Sequence, residues 1–180
     1  MGWHEAESQI KIQYLKKYAK GKTALDIGCG QGWYSKYLTQ NGFIVTALDL
    51  FPPEGLTDIQ VFKADLNKDW PVQNKKFDVV VAFDVVEHVK EEEKLLKNIA
   101  DACNGLLFFS VPQTDSGFFK DSNLTFYHYT DRTHERTYTI EEIKTKMAAY
   151  GFEILNIQPE GPVMPHVIGV FATSKLVSWL

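Results

Sequence analysis

The stretch Ala24-Leu25-Asp26-Ile27-Gly28-Cys29-Gly30-Gln31-Gly32-Trp33-Tyr34 decides the fold. Ala24, Leu25 and Ile27 are apolar on both faces of an extended segment, as in a strand covered on both sides. Gly28, Gly30 and Gly32 follow as a turn whose backbone bends sharply and admits a ligand at close range. From Gln31 to Gln40 the pattern turns helical, with Trp33, Tyr34, Tyr37 and Leu38 at helical spacing and Gly42 as the stop. A strand, a glycine turn and a helix in succession are where open α/β sheets bind nucleotides.

The spacing of the glycines sharpens this. The dinucleotide fingerprint is G-x-G-x-x-G, with a pyrophosphate on the helix N-terminus. Here the pattern is Asp-x-Gly-x-Gly-x-Gly, so the third glycine comes one residue early and Asp26 precedes the turn. A carboxylate there repels a pyrophosphate and accepts hydrogen bonds from an ammonium group. This phrase resembles the first motif of class I S-adenosylmethionine-dependent methyltransferases. A second strand, Phe43 to Leu48, ends in Asp49, at the distance where nucleotide-binding α/β folds place a ribose-binding acid. A third, Ile59 to Ala64, leads into Asp65-Leu66. The fourth, Phe77 to Phe83, is almost wholly apolar and runs into Asp84-Val85-Val86-Glu87-His88-Val89, which resembles the fourth motif of the same family. The resemblance spans Thr23 to Val111 and, more loosely, Asp131 to Lys175, and is of the small-molecule kind (methyltransferase type 11/12-like). It implies that Asp26, Gly28, Gly30 and Gly32 hold the methionine end of the cofactor, Asp49 the ribose, and Asp65 with Leu66 the adenine. Cys29, Tyr34, Leu50 and Phe83 complete the implied cofactor-binding set.

Composition fits one globular unit: 180 residues suit a single core. Net charge is −4 and no basic run stands out, which argues against broad phosphate-backbone binding and hence against a long nucleic acid. Cys29 and Cys103 make neither a disulfide framework nor a zinc site, and read as small buried residues of a reducing compartment. No signal peptide or membrane-spanning run is visible, so the expected location is cytoplasmic.

Local signals complete the layout. Glu5 to Ala19 reads as a helix with Ile10, Tyr14 and Tyr18 on one face. Glu91 to Cys103 reads as another, with Leu95, Leu96, Ile99 and Cys103 as its apolar stripe. Gly105 and the strand Leu106 to Val111 follow. Thr139-x-x-Glu142 is a capping box that opens a helix running to Gly151, with Tyr138 and Ile143 as a hydrophobic staple. Phe152 to Gln158 and Val167 to Lys175 read as a closing strand pair. The whole is an α/β, Rossmann-like, doubly wound sheet of seven strands, one antiparallel, with helices on both faces. The single domain, 1–180, divides into an N-terminal helix (1–22), a cofactor-binding core (23–111), an acceptor loop (112–138) and a C-terminal helix with a strand pair (139–180). The connection from Asn67 to Lys76 is too short for a full helix.

The acceptor loop leaves the end of the fifth strand and is long for a connection. Phe118, Phe119, Phe126, Tyr127, His128 and Tyr129 suit the lining of a pocket. Asp131 to Arg136 either holds this loop, through an Asp131–Arg136 pair, or touches the acceptor. The function that follows is methyl transfer from S-adenosylmethionine to a small-molecule acceptor. The alternatives are an NAD-dependent oxidoreductase, and a non-catalytic cofactor-binding subunit of a methyltransferase complex. His88 and His134 are the candidate bases, because imidazole titrates near neutrality. No resident metal is expected. The set that would hold one, a magnesium ion by preference, is Asp84, Glu87, His88 and His134 (or His128). Ubiquinone-pathway O-methyltransferases and small-RNA terminal 2′-O-methyltransferases carry a similar acid-x-x-Glu-His phrase for metal. The plain reading of the same residues is a cap, Asp84 closing the turn and Glu87 completing the box. Trp3, Trp70 and Trp179 read as packing residues. The apolar tail Leu176 to Leu180 is a candidate contact between two copies of the chain.

Overall fold

Seven strands pair in the order β3-β2-β1-β4-β5-β7-β6 in the computed structural model of the chain. The structure describes residues 3–114, 131–159 and 166–174, with side chains from residue 9 onward. In chain order the elements are α1 (Trp3–Tyr18), β1 (Thr23–Ile27), α2 (Trp33–Gln40), β2 (Ile44–Asp49), β3 (Gln60–Lys63) and β4 (Phe77–Phe83). A 3-10 turn (Val86–His88), α3 (Glu92–Ala102), β5 (Cys103–Pro112), α4 (Ile140–Ala149), β6 (Phe152–Pro159) and β7 (His166–Thr173) follow. Only β7 runs against its neighbours, pairing antiparallel with both β5 and β6.

The central strands are continuous apolar runs because the sheet is covered on both faces. One face packs Leu25, Ile27, Val80, Leu107 and Phe171 under α3 and α4. The other packs Ala24, Val79, Val81, Phe108 and Val170 under α1 and α2. Between β3 and β4 the chain makes turns and no helix, as the short connection implied.

Element ends differ from the sequence reading for local reasons. α2 begins at Trp33 because Gly32, with φ 73°, still belongs to the turn. α3 passes into β5 at Cys103 without a loop, so Gly105 lies inside the strand rather than ahead of it. A Cβ on Gly105 would sit 2.3 Å from the Asp78 carbonyl oxygen, so the residue allows close strand pairing. The buried line of α1 is centred on Lys11 and Leu15, with Tyr14 and Tyr18 beside them. The capping box of α4 is present in both directions: the Thr139 side chain accepts from the Glu142 N–H, and the Glu142 carboxylate accepts from the Thr139 N–H. Tyr138 and Ile143 are buried in one cluster, and Trp70 packs against it. Trp33, in contrast, is exposed. Cys29 and Cys103 are buried free thiols, and burial pushes each up to about 12. The loop aromatics from Phe118 to Tyr129, Trp179 and the tail from Leu176 lie outside the described residues. Among the described residues no helix is long and apolar enough to cross a membrane.

Candidate active site

The C-terminal ends of β1, β2 and β4 meet along one edge of the sheet, where parallel α/β folds collect ligands. Two groups of residues stand there.

The first surrounds the glycine turn. Gly28 and Gly30 have φ of 67° and 50°, a left-handed backbone that favours glycine. A Cβ on Gly28 would fall 2.6 Å from Val85 Cγ2, whereas one on Gly30 would meet nothing within 4 Å. Gly28 is thus packed against the β4 turn, and Gly30 faces open space. Asp49 holds this shape: Oδ2 accepts the Gly30 N–H at 2.8 Å and Oδ1 accepts the Phe51 N–H at 2.8 Å. Asp26 is buried, and its Oδ2 accepts from Ser35 Oγ at 2.6 Å. Burial raises its carboxyl from 3.8 to about 6, against the lowering effect of the Ser35 bonds. Such a group gains much from an ammonium partner. Tyr34 stands edge-on to Phe83, centroids 4.9 Å apart, at the end of β4. Leu50 is exposed beside Asp49. Asp65 forms a tight turn with Asn67 and an ion pair with Lys68 at 2.8 Å, which together hold its carboxyl below the usual range. Leu66 is half-buried against the core.

The second group lies across the β4 end. Glu87, His88 and His134 each offer a ligand atom, and these atoms lie within 4.8 Å of one another. Glu87 is 1% exposed, and its Oε2 has no hydrogen-bond partner among the described residues. Burial and then the charge of Asp84 push its carboxyl up to about 8. His88 Nδ1 lies 3.2 Å from the Thr133 carbonyl oxygen and 3.1 Å from Thr133 Oγ1. A proton on Nδ1 donated to that carbonyl leaves the Nε2 lone pair available. The His88 and His134 rings meet edge to face at 4.6 Å, and His134 Nε2 is 3.5 Å from Asp131 Oδ2.

Asp84 does not join this set. It has φ 52°, and its carboxylate is directed away, to the Lys11 ammonium, to Ser110 Oγ at 2.6 Å and toward His166 Nδ1 at 3.4 Å. Burial alone would raise the carboxyl, but Lys11 and His166 hold it well below the ordinary range. The capping reading is also set aside: Val85 stands at the N-cap of the 3-10 turn, with no side-chain cap. Lys11 and His166 were not anticipated from sequence. The one available signal was a lysine four residues before Leu15 on the buried line of α1. Asp131 and Arg136 turn to separate partners rather than to each other: Asp131 accepts from the Thr133 N–H and hydroxyl, and Arg136 donates to backbone carbonyls.

A family model described as a methyltransferase domain matches residues 3–157. The chain belongs to that family. Membership of a methyltransferase domain family speaks against the NAD-dependent oxidoreductase. The chain is similar to the ubiquinone biosynthesis O-methyltransferase of Coxiella burnetii, with 32% identity over 117 residues, 57% of this chain and 49% of that protein. The ribosomal protein L11 methyltransferase of Campylobacter concisus is 39% identical over 89 residues, 45% of this chain and 32% of that protein. The chain thus spans about half or less of these curated relatives. Among solved structures, the 1,6-didemethyltoxoflavin-N1-methyltransferase of Burkholderia thailandensis, with its substrate and S-adenosylhomocysteine bound, superimposes with a TM-score of 0.72 at 16% identity, over 93% of this chain and 78% of that one. At that identity the likeness is one of fold.

Proposed function

We propose that the protein transfers the methyl group of S-adenosylmethionine to a hydroxyl of a small-molecule acceptor. The glycine turn carries the cofactor half of this reading. Buried Asp26 is a receptor for the methionine ammonium, Gly30 leaves room for the chain, and Asp49 meets the ribose once its loop bonds are shared. Asp65 and Leu66 stand where the adenine would end. The similar proteins include an O-methyltransferase, an N1-methyltransferase and a ribosomal protein methyltransferase, so the acceptor half rests on the second group.

The orphaned oxygen of buried Glu87, facing two imidazoles, is the single observation behind that half. One carboxylate and two imidazoles fit a divalent transition cation such as Mn²⁺ better than magnesium, which prefers an all-oxygen shell. Donors opposite one another on a small cation are about 4 Å apart at ordinary metal–ligand distances, so modest rotation of the side chains closes the set. Such an ion, when bound, lowers the pKa of an acceptor hydroxyl. The protein aligns acceptor oxygen, methyl carbon and sulfur, which is where most of its rate advantage arises. The O–CH₃ bond forms as the S–CH₃ bond breaks, leaving S-adenosylhomocysteine; the hydroxyl proton would go to water where an ion engages the imidazoles, and to His88 or His134 where none does.

The test has two stages. Thermal shifts with S-adenosylhomocysteine, NAD and NADP come first; a ligand at about 100 times its dissociation constant adds roughly 2.7 kcal/mol. A shift with NAD alone overturns the reading. Transfer of labelled methyl to a panel of phenols, catechols and aliphatic alcohols, with Mn²⁺ or EDTA, comes second. Cofactor binding without transfer to any acceptor would favour the non-catalytic subunit. Transfer indifferent to EDTA would remove the metal and leave the histidines as bases.

A further inference from the structure

The chain returns from the acceptor loop at residues 131–138 and is laced to the turn that carries Glu87 and His88. The Glu135 N–H donates to the Glu87 carbonyl at 2.8 Å. Arg136 does more. Its Nη1 donates to the Val86 carbonyl at 3.2 Å and to the Val89 carbonyl, and its Nη2 donates to the Lys90 carbonyl at 3.1 Å. Val86 opens the 3-10 turn and its carbonyl also accepts the Val89 N–H at 3.2 Å, whereas Val89 and Lys90 follow the turn. Three acceptors that diverge from one turn need a planar, forked donor, which guanidinium supplies and an ammonium does not. The fork is itself held: Arg136 Nε lies 3.9 Å from Glu92 Oε2, and Glu92 accepts from Tyr138 Oη at 2.7 Å and Lys146 Nζ at 2.9 Å.

Glu87 and His88 are separated from His134 by more than forty positions. The side chain that binds one segment to the other stands two residues after His134 and grips the backbone on both sides of Glu87. We propose that Arg136 is a positioning residue: its guanidinium clamp sets the approach of the Glu87–His88 turn to His134. It touches neither cofactor nor reacting atoms. The inference rests on the reading of Glu87, His88 and His134 as the acceptor-side group.

The experiment compares the wild type with Arg136→Ala and Arg136→Lys by three readouts. S-adenosylhomocysteine affinity reports the far half of the site and the integrity of the fold. A nuclear Overhauser contact between the His88 and His134 rings, in protein labelled with ¹³C-histidine and free of metal, reports the approach itself. Mn²⁺ affinity reports its consequence. The clamp predicts that Arg136→Ala keeps S-adenosylhomocysteine affinity within about twofold, loses the ring contact and binds Mn²⁺ about 10- to 100-fold more weakly, the range for loss of a group that orients metal ligands. Arg136→Lys falls between, with a weakened ring contact. A ring contact retained in Arg136→Ala overturns the proposal, as does an Arg136→Lys variant equal to wild type in ring contact and Mn²⁺ affinity. If Arg136→Ala also loses the cofactor, it is unfolding, and Arg136→Lys alone decides. A wild type that binds no Mn²⁺ refutes the metal half of the proposed function, and the ring contact then decides the clamp.

Discussion

The two halves of the proposed site are built in opposite ways. The cofactor half is local: Asp26, the glycine turn and Ser35 fall within ten residues of one another, and Asp49 closes the loop from the adjacent strand. The acceptor half is assembled from afar. Arg136 reaches the Val89 carbonyl across 47 positions, and Thr133 reaches His88 across 45. Local construction gives a sturdy, reusable cradle. Long-range construction lets each side chain be exchanged separately, which suits a family whose acceptors differ.

The sharpest way to break this comparison is Glu87→Gln. It should reduce methyl transfer by about a thousandfold, more than the loss of an outer orienting group, while leaving S-adenosylhomocysteine affinity near wild type. A parallel fall in both would show that the halves are one unit. Next is Asp26→Asn, which should weaken S-adenosylmethionine about 10- to 100-fold through loss of a charged hydrogen bond. The same group predicts a pH effect. Burial pushes its carboxyl up from the ordinary 3.8 to about 6, so its contribution to stability is complete below about 4 and is lost as pH rises through about 6. The change is roughly 3 kcal/mol, and Asp26→Asn should flatten it in urea titrations across that window. Without cofactor, then, the variant should be more stable than wild type at pH 7, and worse at binding.

A third comparison uses the turn alone. Gly28→Ala should cost about 1–3 kcal/mol, because its Cβ would strike Val85, the neighbour of Asp84. Gly30→Ala should cost about 1 kcal/mol in stability and act mainly on cofactor affinity, since the added methyl enters open space. Equal stability losses would mean that the two glycines do not divide these tasks. The smallest effect is Thr139→Ala, about 1 kcal/mol from one end of the capping box. It should leave both cofactor and Mn²⁺ binding unchanged.

How far each half was legible follows from the same contrast. Strand β4 reads directly, since seven nearly uniform apolar residues leave little choice, and the glycine turn carries its meaning in three alternate positions, 28, 30 and 32. The α4 cap is equally plain, because Thr139 and Glu142 satisfy each other. Asp84 misled. Its spacing from Glu87 and His88 puts all three on one face only if the turn is helical from its first residue, and the left-handed backbone at Asp84 turns its carboxylate elsewhere. Lys11 and His166 gave little warning, since a buried ion is visible in sequence only through a partner far along the chain. Arg136 was a candidate, but its partners are carbonyls, which have no residue identity to read.

The tie between α1 and the rest of the molecule has a consequence for synthesis. α1 leaves the ribosome well before its partners: Lys11 requires Asp84, Tyr14 donates to Asn156 Oδ1 at 3.0 Å, and β7 supplies His166 beside the same carboxylate. This helix, translated ahead of the strands it packs on, is therefore among the last elements to be fully seated. Until β7 inserts antiparallel between β5 and β6, Asp84 lacks its His166 neighbour and α1 lacks the β7 part of its seat, a vulnerable interval that nascent-chain proteolysis would time.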